Sequence, residues 1–312
     1  MNDLQPLIII GGATATGKSK IALELAKQIN GEIISADSMQ VYKYMNIGTA
    51  KSSKEEMEAV KHHMVDVATP DEDFSVAKYK EMCKKCIKNI TSQGKIPILV
   101  GGTGFYINAV IYDNEFSDAT VNLDYRNSLY KTEQEKGSEF LHNMLVKIDP
   151  ESAAQVHHNN VKRVIRAIEF FSITGIKMSD HNASEQSRKP VYNTLFFVAN
   201  IDREALYSKI NERVDQMIET GLIEEVRGLL KSGYHQNLSS MQGIGYKEII
   251  PHINEELPFE IAVSNLKRNT RRYAKRQLTW FRNQTDGIWI DTEEKSVEEI
   301  INEQERIFEE RI

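Results

Sequence analysis

The chain has 312 residues, 40% of them hydrophobic and 27% charged, a balance that excludes a disordered chain and suits a full core plus a second lobe. There is no apolar run of about 18 residues and no basic-then-apolar leader, so no membrane partner is expected and a cytoplasmic location is. A formal charge of −6 argues against an indiscriminate nucleic-acid coat, although the charge is unevenly distributed.

Leu7–Ile10 is a strand-sized apolar run that leads into the glycine loop Gly12–Ser19. Behind the loop, Ile21, Leu23, Leu25, Ala26 and Ile29 give Lys18–Ile29 the spacing of a helix. Glu32–Ala36 and Pro97–Val100 are two further short strands, the second closed by Gly101 and Gly102. Between them Val76, Tyr79, Cys83, Cys86, Ile87 and Ile90 recur at helical spacing. That puts both cysteines of the chain on a buried or half-buried face. A zinc site would need two more ligands, and there is no second cysteine pair. Residues 122–190 read as mostly helical, with a start signal at Asp149 and Pro150. Thr194–Ala199 returns as a strand, and 203–231 and 259–283 read as amphipathic helices. From Asp291 to Ile312 nine acids accompany three bases, which predicts a solvated acidic helix.

Gly12, Ala13, Thr14, Ala15, Thr16, Gly17, Lys18 and Ser19 match the pattern G-x-x-x-x-G-K-[ST] between a strand and a helix. In such a loop, backbone amides and the helix N-terminus face phosphate oxygens. Lys18 reaches the terminal phosphates and the Ser19 hydroxyl can hold Mg²⁺. The fold expectation is therefore α/β. It comprises a P-loop NTPase-like parallel sheet core with C-terminal helices (1–115 and 191–312) and a mainly helical insertion (116–190) that binds nucleic acid.

The motif specifies a diphosphate or triphosphate but not its fate. Asp37, directly after the Glu32–Ala36 strand, is the carboxylate that the sheet carries to its carboxyl edge, where doubly wound folds place ligands. It reads as a general base or part of a metal shell. Gly101–Tyr106 is a second glycine-rich turn on the same edge, and Thr103 adds a hydroxyl there. From Lys267 to Arg282 there are seven Lys/Arg and no acid. As a helix, this segment is basic on one half, while Leu266, Tyr273, Trp280 and Phe281 fall on the other, so a nucleic-acid backbone is the expected partner. Lys162, Arg163 and Arg166 form a smaller cluster in the insertion. The two clusters together suggest a clasp for structured RNA or DNA.

The P-loop, Asp37–Tyr42, Asn46–Lys51, Gly101–Tyr106, Asn160–Glu169, Ile210–Arg213, Gly243–Lys247 and Arg272–Arg282 resemble, in that order, the tRNA dimethylallyltransferases. One departure is Ala13, where the family usually has proline. The zinc finger of eukaryotic members is missing, which points to a bacterial-type enzyme. The resemblance implies transfer of a dimethylallyl group from dimethylallyl diphosphate to N6 of the adenosine 3′ of the anticodon. It implies Asp37 as base, Thr103 as its hydrogen-bonding neighbour, and Arg213 beside Lys18 on the leaving diphosphate, with Mg²⁺ on Ser19. It also implies tRNA contacts from Asp37, Ser38, Met39, Gln40 and Thr103, and from Lys162, Arg163, Val164, Ile165 and Arg166. Further contacts are implied for Gln242, Gly243, Ile244, Gly245, Tyr246 and Lys247, and for Arg272, Lys275, Arg276, Gln277, Trp280 and Arg282. A monomer is expected, because no exposed apolar stripe is evident. Three rivals share parts of the pattern: a P-loop kinase for a small molecule, an isopentenyltransferase for free adenine nucleotides, and a nucleotide-dependent RNA-binding switch. The first leaves the basic helix without a role, the second leaves both basic clusters idle, and the third leaves Asp37 and Thr103 idle.

Overall fold

The apolar run near the start of the chain is buried on both sides. In strand β1 (Pro6–Gly12), Leu7 and Ile9 enter one core while Ile8 and Ile10 enter another, as in a strand inside a parallel sheet. This computed structural model describes residues 4–114, 122–186, 188–293, 298–299 and 302. Of the segment from Asp291 to Ile312 expected to be an acidic helix, Asp291 instead ends an edge strand, and most of the rest lies outside the described residues.

The chain divides into two compact units, Met1–Asp113 with Pro190–Ile312, and Asn114–Lys189. In the first unit β1 is followed by α1 (Lys18–Gln28), β2 (Gly31–Ser35), α2 (Lys54–Ala59), β3 (His62–His63), α3 (Val76–Ser92), β4 (Ile96–Gly101) and α4 (Gly104–Ile111). The same unit continues with β5 (Asn193–Asn200), α10 (Arg203–Glu219), α11 (Leu222–Lys231), a 3-10 turn at Ser240–Gln242, α12 (Tyr246–Ile253), α13 (Phe259–Gln284) and β6 (Ile288–Asp291). The second unit holds α5 (Leu123–Lys136), α6 (Ser138–Ile148), α7 (Pro150–Gln155), α8 (Val161–Thr174) and α9 (Met178–Gln186).

Six strands form one parallel sheet in the order β3-β2-β4-β1-β5-β6. On one face Ile21 and Leu25 of α1 pack on Ile8, Ile10, Ile98 and Phe197. On the other, Tyr79, Cys83, Ile87 and Ile90 of α3 meet Leu7, Ile9 and Leu99, together with apolar residues of α4 and α11 to α13. The architecture is the expected α/β one. Cys83 is buried and Cys86 half-buried on α3, as the helical spacing implied, and burial raises the pKa of both thiols.

Two local differences have physical causes. The helical pattern over 203–231 is interrupted, because Gly221 takes φ +102° and separates α10 from α11. Strands β3 and β6 are two and four residues long at the edges of the sheet, too short to leave a periodic signal. In the second unit the core is Leu129, Leu141, Leu145, Val164, Ile165 and Ile168.

Candidate active site

The carboxyl ends of β1, β2 and β4 bring three loops together, and α10 and α13 close over them. They enclose a cavity of about 340 Å³. The P-loop contributes Thr14, Lys18 and Ser19 to its wall, and the segment after β2 contributes Asp37, Ser38, Met39 and Gln40. Arg213 and Met217 enter from α10, and Thr270, Tyr273, Arg276 and Gln277 from α13.

The P-loop is built as an anion cradle. Gly17 takes φ +82° as the N-cap of α1, and the amides of Ala15, Thr16, Gly17, Lys18 and Ser19 have no protein acceptor among the described residues. The Thr14 amide is different: it donates to Gln277 Oε1 at 3.0 Å, while Gln277 Nε2 donates to the Gly102 carbonyl at 2.9 Å. One amide of α13 thus clamps the two glycine turns together. Thr16 Oγ1 and Lys18 Nζ both donate to the Ala13 carbonyl, at 2.8 and 3.1 Å. Ala13 itself is fully buried beside Ile201, Leu206, Ile210 and Ala274, so its methyl fills a small core.

Electrostatics single out Lys18. Its pKa is lowered to about 8, first by burial and then by the neighbouring Arg213 charge, while Asp37 opposes the shift. Burial also lowers Arg213, again against Asp37. Arg213 Nη1 donates to Thr14 Oγ1 at 3.3 Å. Two half-buried cations on the cavity wall therefore converge where phosphate oxygens would lie, with Asp37 as the nearby countercharge. Burying like charges together is costly unless an anion completes them.

Asp37 Oδ1 accepts the Met39 N–H at 2.8 Å and the Gln40 N–H at 3.4 Å, which fixes the carboxylate on its own turn. Ser19 Oγ and the Asp37 carboxylate line the same cavity, a sparse set of hard oxygen donors that suits Mg²⁺ when phosphate and water supply the other ligands. Among the described residues no group of three His, Cys, Asp or Glu could form a metal cage.

The IPP transferase family model matches residues 40–284. The chain belongs to the IPP transferase family. It is 50% identical to the tRNA dimethylallyltransferase of Acetivibrio thermocellus over 95% of this chain and 94% of that one. Among solved structures it is similar to the tRNA delta(2)-isopentenylpyrophosphate transferase of Staphylococcus epidermidis, with 42% identity, TM-score 0.73, and 98% of this chain and 100% of that one covered. It is also similar to a eukaryotic dimethylallyltransferase acting on tRNA, with 31% identity, TM-score 0.77, and 92% of this chain and 74% of that one covered.

Several side chains named by resemblance to this family have other duties. Thr103 Oγ1 accepts the Ser38 N–H at 3.1 Å and donates to Ser38 Oγ at 3.4 Å, so its hydrogen bonds go to the residue after Asp37. Val164 and Ile165 are at most 1% exposed in the core of the helical unit, and Tyr246 is fully buried, so these side chains support the fold rather than a surface contact. Gln277 is 6% exposed and spends its amide on the clamp. Trp280 packs on Gly104, where a Cβ would sit 2.0 Å from the indole. Gly101 similarly allows the Ala36 carbonyl to approach within 2.1 Å of a would-be Cβ, so this turn needs its glycines to pack the protein against itself.

Gln242, Gly243, Ile244, Gly245 and Lys247 do line the cavity. Arg272, Lys275, Arg276 and Arg282 are exposed on α13, Arg282 stacking over the Trp289 ring at 5.6 Å. The helix is less unpaired than its acid-free sequence suggests: Lys267 meets Asp215 of α10 at 2.6 Å, and Arg271 Nη1 donates to Asn211 at 2.6 Å. In the helical unit Lys162 and Arg163 are exposed, while Arg166 lies 3.4 Å from buried Glu169, which Arg126 meets at 2.7 Å. Tyr273 falls on the apolar half of its helix. It lines the cavity, and burial and then Asp37 push its phenol up to about 12. Its helical spacing with Leu266, Thr270 and Gln277, all on the cavity wall, was a signal available in the sequence.

Proposed function

We propose that this protein transfers the dimethylallyl group of dimethylallyl diphosphate to N6 of the adenosine 3′-adjacent to the anticodon of tRNA, as a cytoplasmic monomer. The observation that carries the reading is the pair of half-buried cations, Lys18 and Arg213, converging beside Asp37 in a P-loop cavity capped by a basic helix. The relatives' activity on tRNA supports the same acceptor.

An aryl amine is a weak nucleophile, so the C–O bond to diphosphate must be largely broken before the C–N bond forms. Lys18, Arg213 and the free amides of Ala15 to Ser19 stabilise the charge that gathers on the departing diphosphate. Mg²⁺, when bound by Ser19 with Asp37 nearby, would neutralise further charge on the same oxygens. The P-loop then serves a leaving group rather than a nucleoside triphosphate. As the C–N bond forms, N6 loses a proton to the Asp37 carboxylate, whose Oδ1 is held by the Met39 and Gln40 amides. The target base must leave the loop stack to reach the cavity. The exposed cations Arg272, Lys275, Arg276 and Arg282 of α13 supply phosphate contacts, with Lys162 and Arg163 as further candidates.

The discriminating experiment offers labelled dimethylallyl diphosphate to the protein with unmodified tRNA, AMP and ATP as parallel acceptors. Label on tRNA at the adenosine beside the anticodon is expected. Label on AMP alone, or consumption of ATP with a small acceptor, would move the protein to a rival class.

A further inference from the structure

Two turns of the cavity wall are tied to a carboxylate that does not itself line the cavity. Glu225 stands half-buried on α11. Its Oε2 accepts the backbone N–H groups of Asn46 and Ile47, each at 2.8 Å. Its Oε1 accepts the Gly48 N–H at 3.1 Å and the Tyr246 hydroxyl at 2.7 Å. Three consecutive amides aimed at one point make an anion-seeking concavity, and Glu225 fills it. Tyr246 is fully buried, and burial followed by the Glu225 charge raises its pKa, so the phenol remains a donor. A Cβ on Gly48 would lie 2.6 Å from the Tyr246 ring, so the two turns press directly on one another.

These turns face the reaction space. Gly48, Thr49 and Ala50 line the cavity next to Gly243, Ile244 and Gly245. None of the six carries charge, although Lys247 follows at the end of the second turn and lines the same cavity as Lys18 and Arg213. This neutral wall suits the two uncharged reacting groups, a flat base and an allyl chain.

We propose that Glu225 is a positioning residue for the group transfer: through four accepted hydrogen bonds its carboxylate holds the 46–50 and 243–246 turns in the register that shapes this uncharged stretch of the cavity wall. The inference rests on the prenyl-transfer reading above. A glutamine at 225 has the same size but turns an N–H₂ donor toward donors, so at least part of the set is lost.

The test compares wild type, Glu225→Gln, Tyr246→Phe and the double variant. It uses labelled dimethylallyl diphosphate and unmodified tRNA, with kcat and the tRNA KM resolved, plus pyrophosphate affinity and thermal midpoint. Glu225→Gln should lower kcat by about 10- to 100-fold, the cost of misplacing reacting groups by ~1 Å. The tRNA KM should move less than about 3-fold, because phosphate contacts elsewhere carry that affinity. Pyrophosphate affinity should hold, since the P-loop is untouched. Tyr246→Phe removes one bond and no charge; it should give a smaller kcat loss of the same kind and be non-additive with Glu225→Gln. If Glu225→Gln proves too unstable to assay, wild-type kinetics in Tyr246→Phe would overturn the proposal. Wild-type kinetics in Glu225→Gln, or a fall in kcat, pyrophosphate affinity and thermal midpoint in step, would overturn it while leaving the functional reading intact. Absence of tRNA prenylation by wild type would overturn that reading and this inference together.

Discussion

At the scale of single residues, function rests on charge placed where water would otherwise relieve it. Lys18 sits near pKa 8 because burial and Arg213 disfavour its charge more than Asp37 favours it. The charged form is the one that binds a diphosphate. The last ionisation of a phosphate ester is centred near pH 6 and is about nine-tenths complete at pH 7, so the donor does not titrate through the same range. The kcat/KM for dimethylallyl diphosphate should therefore be full below the Lys18 pKa and fall as pH rises through about 8. A profile that stays flat well past about pH 9 would contradict a proton-bearing Lys18 at the diphosphate. Asp37 calls for a different substitution. Because its Oδ1 holds the Met39 and Gln40 amides, alanine would loosen the turn as well as remove a base. Asn keeps the acceptor and removes only the proton-accepting charge. Asp37→Asn should lower kcat by about 100-fold or more while tRNA binding, measured by filter retention, stays near wild type. Undiminished turnover would remove Asp37 as the base.

At the scale of elements, α13 has two jobs on two faces. Outward it shows Arg272, Lys275, Arg276 and Arg282, and inward Gln277 joins the Thr14 amide to the Gly102 carbonyl. Gln277→Ala leaves both groups unsatisfied in a largely dry place, a cost of about 1–3 kcal/mol. The thermal midpoint should drop by a few degrees and pyrophosphate should bind more weakly, because the P-loop loses its brace. Calorimetry showing neither change would refute the clamp. The elements that position the site were readable because their periodicity is long and unbroken: the α3 stripe from Val76 to Ile90, the buried run in β1, and the amphipathic 259–283 segment. Gln277 was legible as part of a motif but not as a clamp. Its partners lie 263 and 175 positions away, and no local pattern encodes such a contact. The same holds for Lys267, whose acid Asp215 lies on another helix.

At the scale of the whole molecule, the net charge of −6 coexists with a helix whose exposed face is basic. Charge distribution, rather than the sum, indicated a nucleic-acid partner. The α/β core could be inferred because alternating strands and helices with a P-loop admit few arrangements. The cavity's far wall could not. It is assembled from turns at 46–50 and 242–247, with Glu225 between them in space, and only folding brings the three together. The central claim is that the P-loop holds a leaving diphosphate while a tRNA adenosine receives the allyl group. The most direct measurement is transfer of labelled dimethylallyl to unmodified tRNA by wild type and by Lys18→Ala, with tRNA affinity measured on both. Transfer by wild type, lost in Lys18→Ala at unchanged tRNA affinity, is the predicted result. Equal transfer by the two proteins would contradict the account, and so would tRNA that stays unlabelled while ATP is consumed.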